Sequence, residues 1–330
     1  MPTSIADLII PEVVGDIASA LMVDKTALVG SGVASPDYEN VDIREGGEFC
    51  KIPFWNEVAG EDEVLVEGSA LTPDKITMGE DIGVVLHRGK AWSAYTLARI
   101  VSGKDPNRAV GEQLANFWGK RYDATLISVL NGAFSGPLAS THVLDVSAAP
   151  DSGDYPVTPD PTHFVDAMAL LGDNMSEAFE VIIMHSHVYA VLLKQGLIEF
   201  GQTVMGQRVI ETGELPTFLG RRVIVSDNCP VEEYVIDTTN NTTGKRYTTF
   251  IAGRGVMYFG FQRDLAIETD KDILAQEEFL VTTAHFCAHL KGVKWNTTTT
   301  NPNNATLATG GNWQKVWPDK AIRIVALKTN

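Results

Sequence analysis

The chain has 330 residues, 44% hydrophobic and 21% charged, with a formal net charge of −16. These are globular values with room for a large core, and length alone suggests about two domains. The acidic balance and the lack of any Lys/Arg run argue against a protein that grips DNA through its phosphates, and no uninterrupted apolar run is long enough to span a bilayer.

The first segment, MPTSIADLIIPEVVGD, has no basic stretch leading into a long apolar one, so no signal peptide is expected and no membrane partner. Residues 1–50 read as an arm. One short amphipathic helix starts at Pro11 and has Val13, Val14, Ile17, Ala18 and Leu21 on its apolar side. Ser31 to Gly47 has little periodic burial and should lie on something else. Residues 48–92 read as two extended segments around a polar tip. Lys51–Trp55 leads in and the β-rich Ile82–Arg88 leads out. Such a ribbon is marginal by itself in water, which points to packing on another subunit.

The most informative stretch is 89–134. Asp105 is a good N-cap, Pro106 suits the first helical position, and Asn131-Gly132 is a natural stop, so one helix is predicted over about 105–132. It would be a rod of about 40 Å. Val110, Leu114, Phe117, Trp118, Tyr122 and Leu126 form its apolar stripe, and Glu112, Gln113, Asn116, Lys120 and Asp123 its polar side. Beyond Asp123 it is apolar nearly all round, so its C-terminal end should be the more deeply buried. Gly111 and Gly119 each cost about 1 kcal/mol relative to Ala, a cost that close approach of another backbone would offset.

A Ser/Pro/Asp/Gly-rich connection follows, from about Ser135 to Pro161. Next come a helix from about Thr162, a buried strand Phe179–Met184, a helix over His185–Lys194, and a turn region Thr212–Gly220. Strands Arg222–Ser226, Lys245–Ile251 and Gly255–Phe261 complete a compact α/β unit. Two further strands are expected at Leu265–Asp270 and Glu278–Val293, then a Thr/Asn/Gly-rich linker Thr297–Asn312 and a final strand Ala321–Leu327.

Few residues suggest chemistry. His185 and His187 flank Ser186 at a strand-to-helix junction, without a G-x-S-x-G elbow, so Ser186 reads as a helix N-cap and not as a nucleophile. His285, Cys287 and His289 would share one face of a strand and could in principle hold zinc, but their spacing is unlike familiar zinc patterns. Gly253-Arg-Gly255 opens no helix and makes a poor phosphate cradle. The dense carboxylate cluster Glu61-Asp62-Glu63 sits at the ribbon tip, as a solvated tip or as a contact with a basic patch on a neighbour. Cys50, Cys229 and Cys287, odd in number and widely spaced, suggest neither disulfides nor a metal finger and fit a reducing cytoplasm.

The order of parts resembles the major capsid (coat) protein of tailed double-stranded DNA phages. The resemblance rests on Leu8-Ile-Ile-Pro11, Gly46-Gly47 through Ile52-Pro53-Phe54, Arg88-Gly-Lys-Ala-Trp92 and Ser102-Gly-Lys-Asp-Pro106. It continues in Gly213-Glu-Leu-Pro-Thr-Phe-Leu-Gly220 before Val223–Asp227, in Glu268-Thr-Asp-Lys-Asp272, and in the tail Lys320–Asn330. It implies an α+β, HK-type capsid fold: an N-terminal arm (1–47), an extended β-loop (48–91), a peripheral domain with the spine helix (92–159), an α/β axial domain (160–258), and a return to the peripheral domain with a C-terminal tail (259–330).

It also implies a structural role without enzymatic activity or cofactor. Subunits would form the hexamers and pentamers of an icosahedral head enclosing DNA without sequence-specific binding, with scaffolding, portal and decoration proteins as partners. Assembly would occur in the host cytoplasm and the product would be the virion. The implied assembly contacts are Glu61, Asp62, Glu63, Lys75, Arg88 and Trp92. Some relatives crosslink through a loop Lys. Lys75 lies in the loop here, but no partner Asn or catalytic acid is identifiable, so that chemistry is not carried over. Two alternatives stand beside this reading: an encapsulin-like cellular shell of the same fold, and a cytoplasmic metal-dependent enzyme using His285, Cys287 and His289.

Overall fold

The computed structural model describes residues 26–35, 46–56, 58, 60, 62–64, 73–95, 106–151, 153, 155–175, 178–198, 202–205, 208–211, 216–272 and 277–330. The arm helix expected from Pro11 and the cap expected at Asp105 lie outside them. A short helix α1 (Ala27–Gly30) leads into β1 (Ala34–Ser35). The ribbon strands are β2 (Phe49–Trp55) and β3 (Met78–Tyr95). The long helix α2 runs Pro106–Ser135.

The stripe on α2 is buried as its periodicity predicts. Leu114, Trp118, Tyr122, Leu126, Ile127, Val129 and Leu130 are all in the core, while Glu112, Gln113, Asn116 and Lys120 are exposed. Asp123 departs from its polar neighbours. Its carboxylate accepts hydrogen bonds from the amides of Ala27 and Leu28, at 3.2 Å each, capping α1, whose own N-cap Thr26 makes no side-chain cap. These are two of the orphan donors that any helix start must satisfy. Burial raises the Asp123 pKa, and those same two amides oppose the shift.

The helix does not stop at Gly132 but runs on to Ser135. Gly132 is there for close approach: a Cβ would stand 2.0 Å from the Leu307 carbonyl oxygen and 2.4 Å from Trp313 Nε1. The covering segment is the expected linker, which is ordered. Helix α5 (Asn304–Leu307) is capped by the Asn303 side chain, and Trp313 Nε1 donates to the Leu307 carbonyl at 2.7 Å. Gly132→Ala should therefore push this pad off the helix and cost about 3 kcal/mol, the upper end for overpacking, because backbone must move. Urea unfolding of the unassembled subunit checks it; a change within 0.5 kcal/mol, the ordinary range for a neutral surface substitution, would remove the close-approach account.

Beyond α2 come β4 (Val143–Asp145), α3 (Pro161–Ala169), β5 (Val181–Met184) and α4 (Ser186–Lys194). They are followed by β6 (Gln202–Met205), β7 (Arg208–Glu211), β8 (Thr217–Phe218), β9 (Arg221–Val225), β10 (Val231–Asp237) and β11 (Thr242–Ala252). The remaining strands are β12 (Met257–Asp272), β13 (Glu277–Leu290), β14 (Val293–Trp295), β15 (Trp313–Lys315) and β16 (Ile324–Thr329). The two strands expected at Gly255–Phe261 and Leu265–Asp270 are one, β12, interrupted only by register shifts between Phe261 and Ala266. A local bulge of this kind breaks a hydrophobic pattern without breaking the strand.

Two sheets carry the fold. The five-stranded sheet has the order β1-β12-β13-β3-β2, and α2 lies on it. The seven-stranded sheet has the order β4-β16-β11-β5-β9-β8, with β10 beside β11. Its central strands are buried on both faces. Val181, Ile183, Phe250, Ala252, Ile324 and Ala326 face the core shared with α2. Ile182, Met184, Ile251, Val325 and Leu327 face a second core under α3 and α4. Double burial explains why β5 reads as an unbroken apolar run. The last strand, which chain order groups with the α2 region, pairs with β11 and β4. Its two-sided burial draws it into this wall between the cores.

Candidate functional site

The ribbon is built by the pairing of β2 with β3, from Phe49↔Val84 to Trp55↔Met78. One more rung follows, where the Asn56 amide donates to the Thr77 carbonyl at 3.0 Å and Asn56 Nδ2 to Thr77 Oγ1 at 2.8 Å. Around and beyond it the described residues are open to solvent. Trp55 is 68% exposed, Val58 74%, Val64 86% and Ile76 61%. Asp62, Glu63 and Lys75 are exposed among them, and Glu61 lies outside the described residues. Large apolar side chains standing this far out signal a surface that another chain covers.

The foot of the ribbon holds the buried polar groups. Asp81 on β3 faces His289 on β13, with Oδ1 2.9 Å from Nε2, and both side chains are essentially inaccessible. The second oxygen of Asp81 accepts from the Gly292 amide at 2.8 Å. Burial is the strongest influence on the Asp81 pKa and raises it. The His289 imidazole and the amides of Gly292 and Ile82 outweigh it, and the carboxyl ends below the usual range. Cys287 lies against Cys50, and that hydrogen bond together with burial pushes the Cys287 thiol well up. A Cβ on Gly83 would come 2.9 Å from Cys287 Sγ, so a glycine is needed beneath it.

His285, Cys287 and His289 do share one face of β13, with Ala284, Phe286, Ala288 and Leu290 on the core side as the alternation predicts. They do not converge. His285 stacks on His87 at 4.2 Å, Cys287 meets Cys50, and His289 is held by Asp81. Among the described residues no three such groups are placed to hold a metal ion. Successive same-face residues on a strand are nearly 7 Å apart, and each of these three has a nearer cross-strand partner.

The His185 region differs from expectation in one detail. His185, not Ser186, is the N-cap of α4: its Nδ1 accepts the His187 amide at 3.1 Å. That lone pair is therefore not free to take a proton from Ser186 Oγ, 3.5 Å away. Ser186 hydrogen-bonds Asp227, lowering the pKa of that exposed carboxyl. A nucleophile needs an available base, and here the base is a helix cap.

A cleft of about 520 Å³ lies where β3 passes the middle of α2, lined by Arg88, Lys90 and Arg121 together with Phe117 and Trp118. Arg88 donates to Asn301 Oδ1 at 3.1 Å and to the Pro302 carbonyl, neither of which is charged. Its burial lowers the guanidinium pKa. Arg121 lies 5.6 Å over the Phe117 ring. Trp92, half-buried, meets Phe117 edge-on at 5.2 Å. Thus Arg88 and Trp92 sit together beside α2, and Asp62, Glu63 and Lys75 lie at the other end of β3. One subunit does not bring the two groups together. Sequence reasoning missed Asp81 and Arg121, and it placed Asp123 on the polar side of α2 without its partners Ala27 and Leu28. Asp81 had one signal: an acid in the alternation that otherwise continues with Gly83 and Val85.

Comparison with known proteins gives the geometry its context. The family model described as Gp13-like, major capsid protein 13-like, matches residues 42–322. The major capsid protein of Bacillus phage SPP1 is 35% identical over 99% of this chain and 98% of its own length. The capsid of Ralstonia phage GP4 superposes with a TM-score of 0.59 at 10% identity, covering 93% of this chain and 90% of that one. The capsid of a native GTA particle gives 0.55 at 11% identity, covering 81% and 86%. The structures establish the α+β capsid fold, and the phage relative favours a phage head over a cellular cargo shell or a metal-dependent enzyme. The chain is thus a major capsid protein and belongs to the Gp13-like family.

Proposed function

We propose that the chain is a shell subunit that assembles into the hexamers and pentamers of an icosahedral phage head around DNA, in the host cytoplasm. Scaffolding, portal and decoration proteins would be its partners, and its role is structural, without catalysis. In this reading residues 1–47 are the arm, 48–91 the extended loop, the α2 region with the five-stranded sheet the peripheral domain, and 160–258 with the final strand the axial domain. The observation that carries it is the ribbon, whose Trp55, Val58, Val64 and Ile76 stand exposed among the described residues. Many such contacts, each weak, sum to a stable shell. An acidic chain suits the inside of a head, where DNA is confined and not gripped.

Electron microscopy and sedimentation of the purified recombinant chain test this. Closed shells are expected; a chain that stays monomeric under all assembly conditions and is missing from virions would contradict it. Reversing Glu61, Asp62 and Glu63 to Lys should leave the monomer folded, since Asp62 and Glu63 are exposed and exposed charges contribute little to stability. It should cut the yield of closed shells at least tenfold, and wild-type yield would remove the loop contact.

A further inference from the structure

We propose that a second cleft, between Phe54–Asn56 of the ribbon and the loop Trp317–Arg323, is a binding site for a multivalent phosphate anion. Its volume is about 1160 Å³. The chain as a whole carries 42 acidic against 26 basic residues. The balance is reversed in this cleft, where Arg254, Lys291, Lys320 and Arg323 stand against Asp173 and Asp319. Both carboxylates are already engaged: Lys320 Nζ donates to Asp173 and Lys315 Nζ to Asp319, at 2.7 Å each. Arg254 and Arg323, both exposed, are in no ion pair among the described residues.

Three separate segments bring the cations together. Arg254 lies in the turn between β11 and β12, Lys291 in the turn between β13 and β14, and Arg323 just before β16. The Gly253 amide donates to the Arg323 carbonyl at 2.9 Å, and the Lys291 amide to the Val256 carbonyl at 3.1 Å. The backbone therefore fixes these positions. Like charges held in one place repel, and a counter-anion removes that cost. To meet cations from three segments the anion must carry several charges close together. A phosphate chain does so and a single carboxylate does not. The planar fork of Arg matches phosphate oxygens, and Lys serves as a point charge. Trp317 lines the same cleft, and its Nε1–H is buried with no hydrogen-bond partner among the described residues. Such a donor carries a desolvation cost that a phosphate oxygen offsets. The site is local and leaves the chain acidic overall, so any contact with nucleic-acid phosphate is weak and salt-labile.

Calorimetric titration of the unassembled full chain with inorganic tripolyphosphate, and with a short DNA duplex at matched ionic strength, tests the site. Arg254→Gln with Arg323→Gln should weaken tripolyphosphate binding about tenfold or more, as expected for losing charge-assisted hydrogen bonds. Lys90→Gln with Arg121→Gln removes as many cations from the cleft beside α2 and should leave the affinity within about twofold. Tripolyphosphate binding without duplex binding assigns a free polyphosphate as the source. Binding of both, each displacing the other, extends the site to the DNA backbone, and three phosphate contacts then predict a roughly 40-fold loss of duplex affinity between about 50 and 200 mM salt. Either result supports the site. No tripolyphosphate binding by the wild-type chain, an equal loss in the two double variants, or equally tight binding of a glutamate peptide of the same charge overturns the inference. Should the Arg254→Gln/Arg323→Gln chain fail to fold, Arg254→Gln alone should weaken binding about threefold or more, and unchanged affinity overturns the inference. Shell formation plays no part in this readout, so failure here leaves the shell reading standing.

Discussion

His289→Ala is expected to destabilise the subunit by about 3–5 kcal/mol, because it strands the Asp81 carboxylate in the interior without its partner. The pair is weak evidence for net stability as a unit, but breaking it from one side is costly. Asp81→Asn keeps the shape and removes the charge, so it should cost only about 1 kcal/mol. The pH dependence follows from the lowered Asp81 pKa. A carboxyl whose folded pKa lies below its unfolded value contributes stability that is fully present above the unfolded pKa, here about 3.8, and that disappears as pH falls through the folded value. The stability gap between wild type and Asp81→Asn should therefore shrink below about pH 3.8. Equilibrium urea unfolding of the unassembled subunit measures all of this. A His289→Ala cost under 1 kcal/mol would mean that water or rearrangement satisfies Asp81. Because the pair ties the ribbon foot to β13, the same variant should also assemble poorly.

Tyr122→Ala should cost about 3–5 kcal/mol. The ring is fully buried and has Phe259, Phe261 and Phe286 edge-on at 5.3, 5.6 and 4.7 Å, with Trp118 on its other side. It is one of the contacts through which α2 holds the five-stranded sheet, beside the Trp118 Nε1 to Thr282 Oγ1 hydrogen bond, and its deletion opens a cavity between them. Its hydroxyl, by contrast, is buried with no hydrogen-bond partner among the described residues, and burial keeps it un-ionised far above the usual phenol range. A buried donor without a partner carries a desolvation cost. Tyr122→Phe should thus stabilise by about 1 kcal/mol. Thermal unfolding of the two variants beside wild type reads both signs. A stability loss in Tyr122→Phe would show that the hydroxyl has a partner, such as a water.

What the sequence revealed, and what it hid, has a physical pattern. The α2 stripe, the alternation on β13 and the apolar run of β5 were legible because burial imposes a period that residues close in sequence share. The exposed ribbon was legible for the opposite reason, a segment with too little apolar pattern to bury itself. The errors came where a distant backbone decides. Gly132 looks like a helix stop, and only the Leu307 carbonyl above it shows why the helix continues. The Thr297–Asn312 segment looks like a linker because it is polar, yet Asn303 caps α5 and Asn312 ties the following turn to Thr306. Asp123 belongs to the polar face of α2 by spacing, yet its partners lie 95 and 96 residues earlier in the chain. The clustering of Arg88, Lys90 and Arg121 was equally hidden. Arg88 and Trp92 were singled out through resemblance, but Arg121 reaches the same cleft only because α2 crosses β3. The pairing of the final strand with β11 and β4 was hidden too, because the chain makes one wall serve two cores, which no local pattern announces.

The central claim is that the ribbon is completed by a neighbouring subunit in a closed shell. An icosahedral reconstruction of particles assembled from the purified chain tests it most directly. The account predicts subunits around both five-fold and six-fold axes, with the exposed Trp55, Val58, Val64 and Ile76 of each ribbon covered by the adjacent subunit. A particle in which every ribbon folds back on its own subunit, or a chain that forms no closed particle at all, would contradict it.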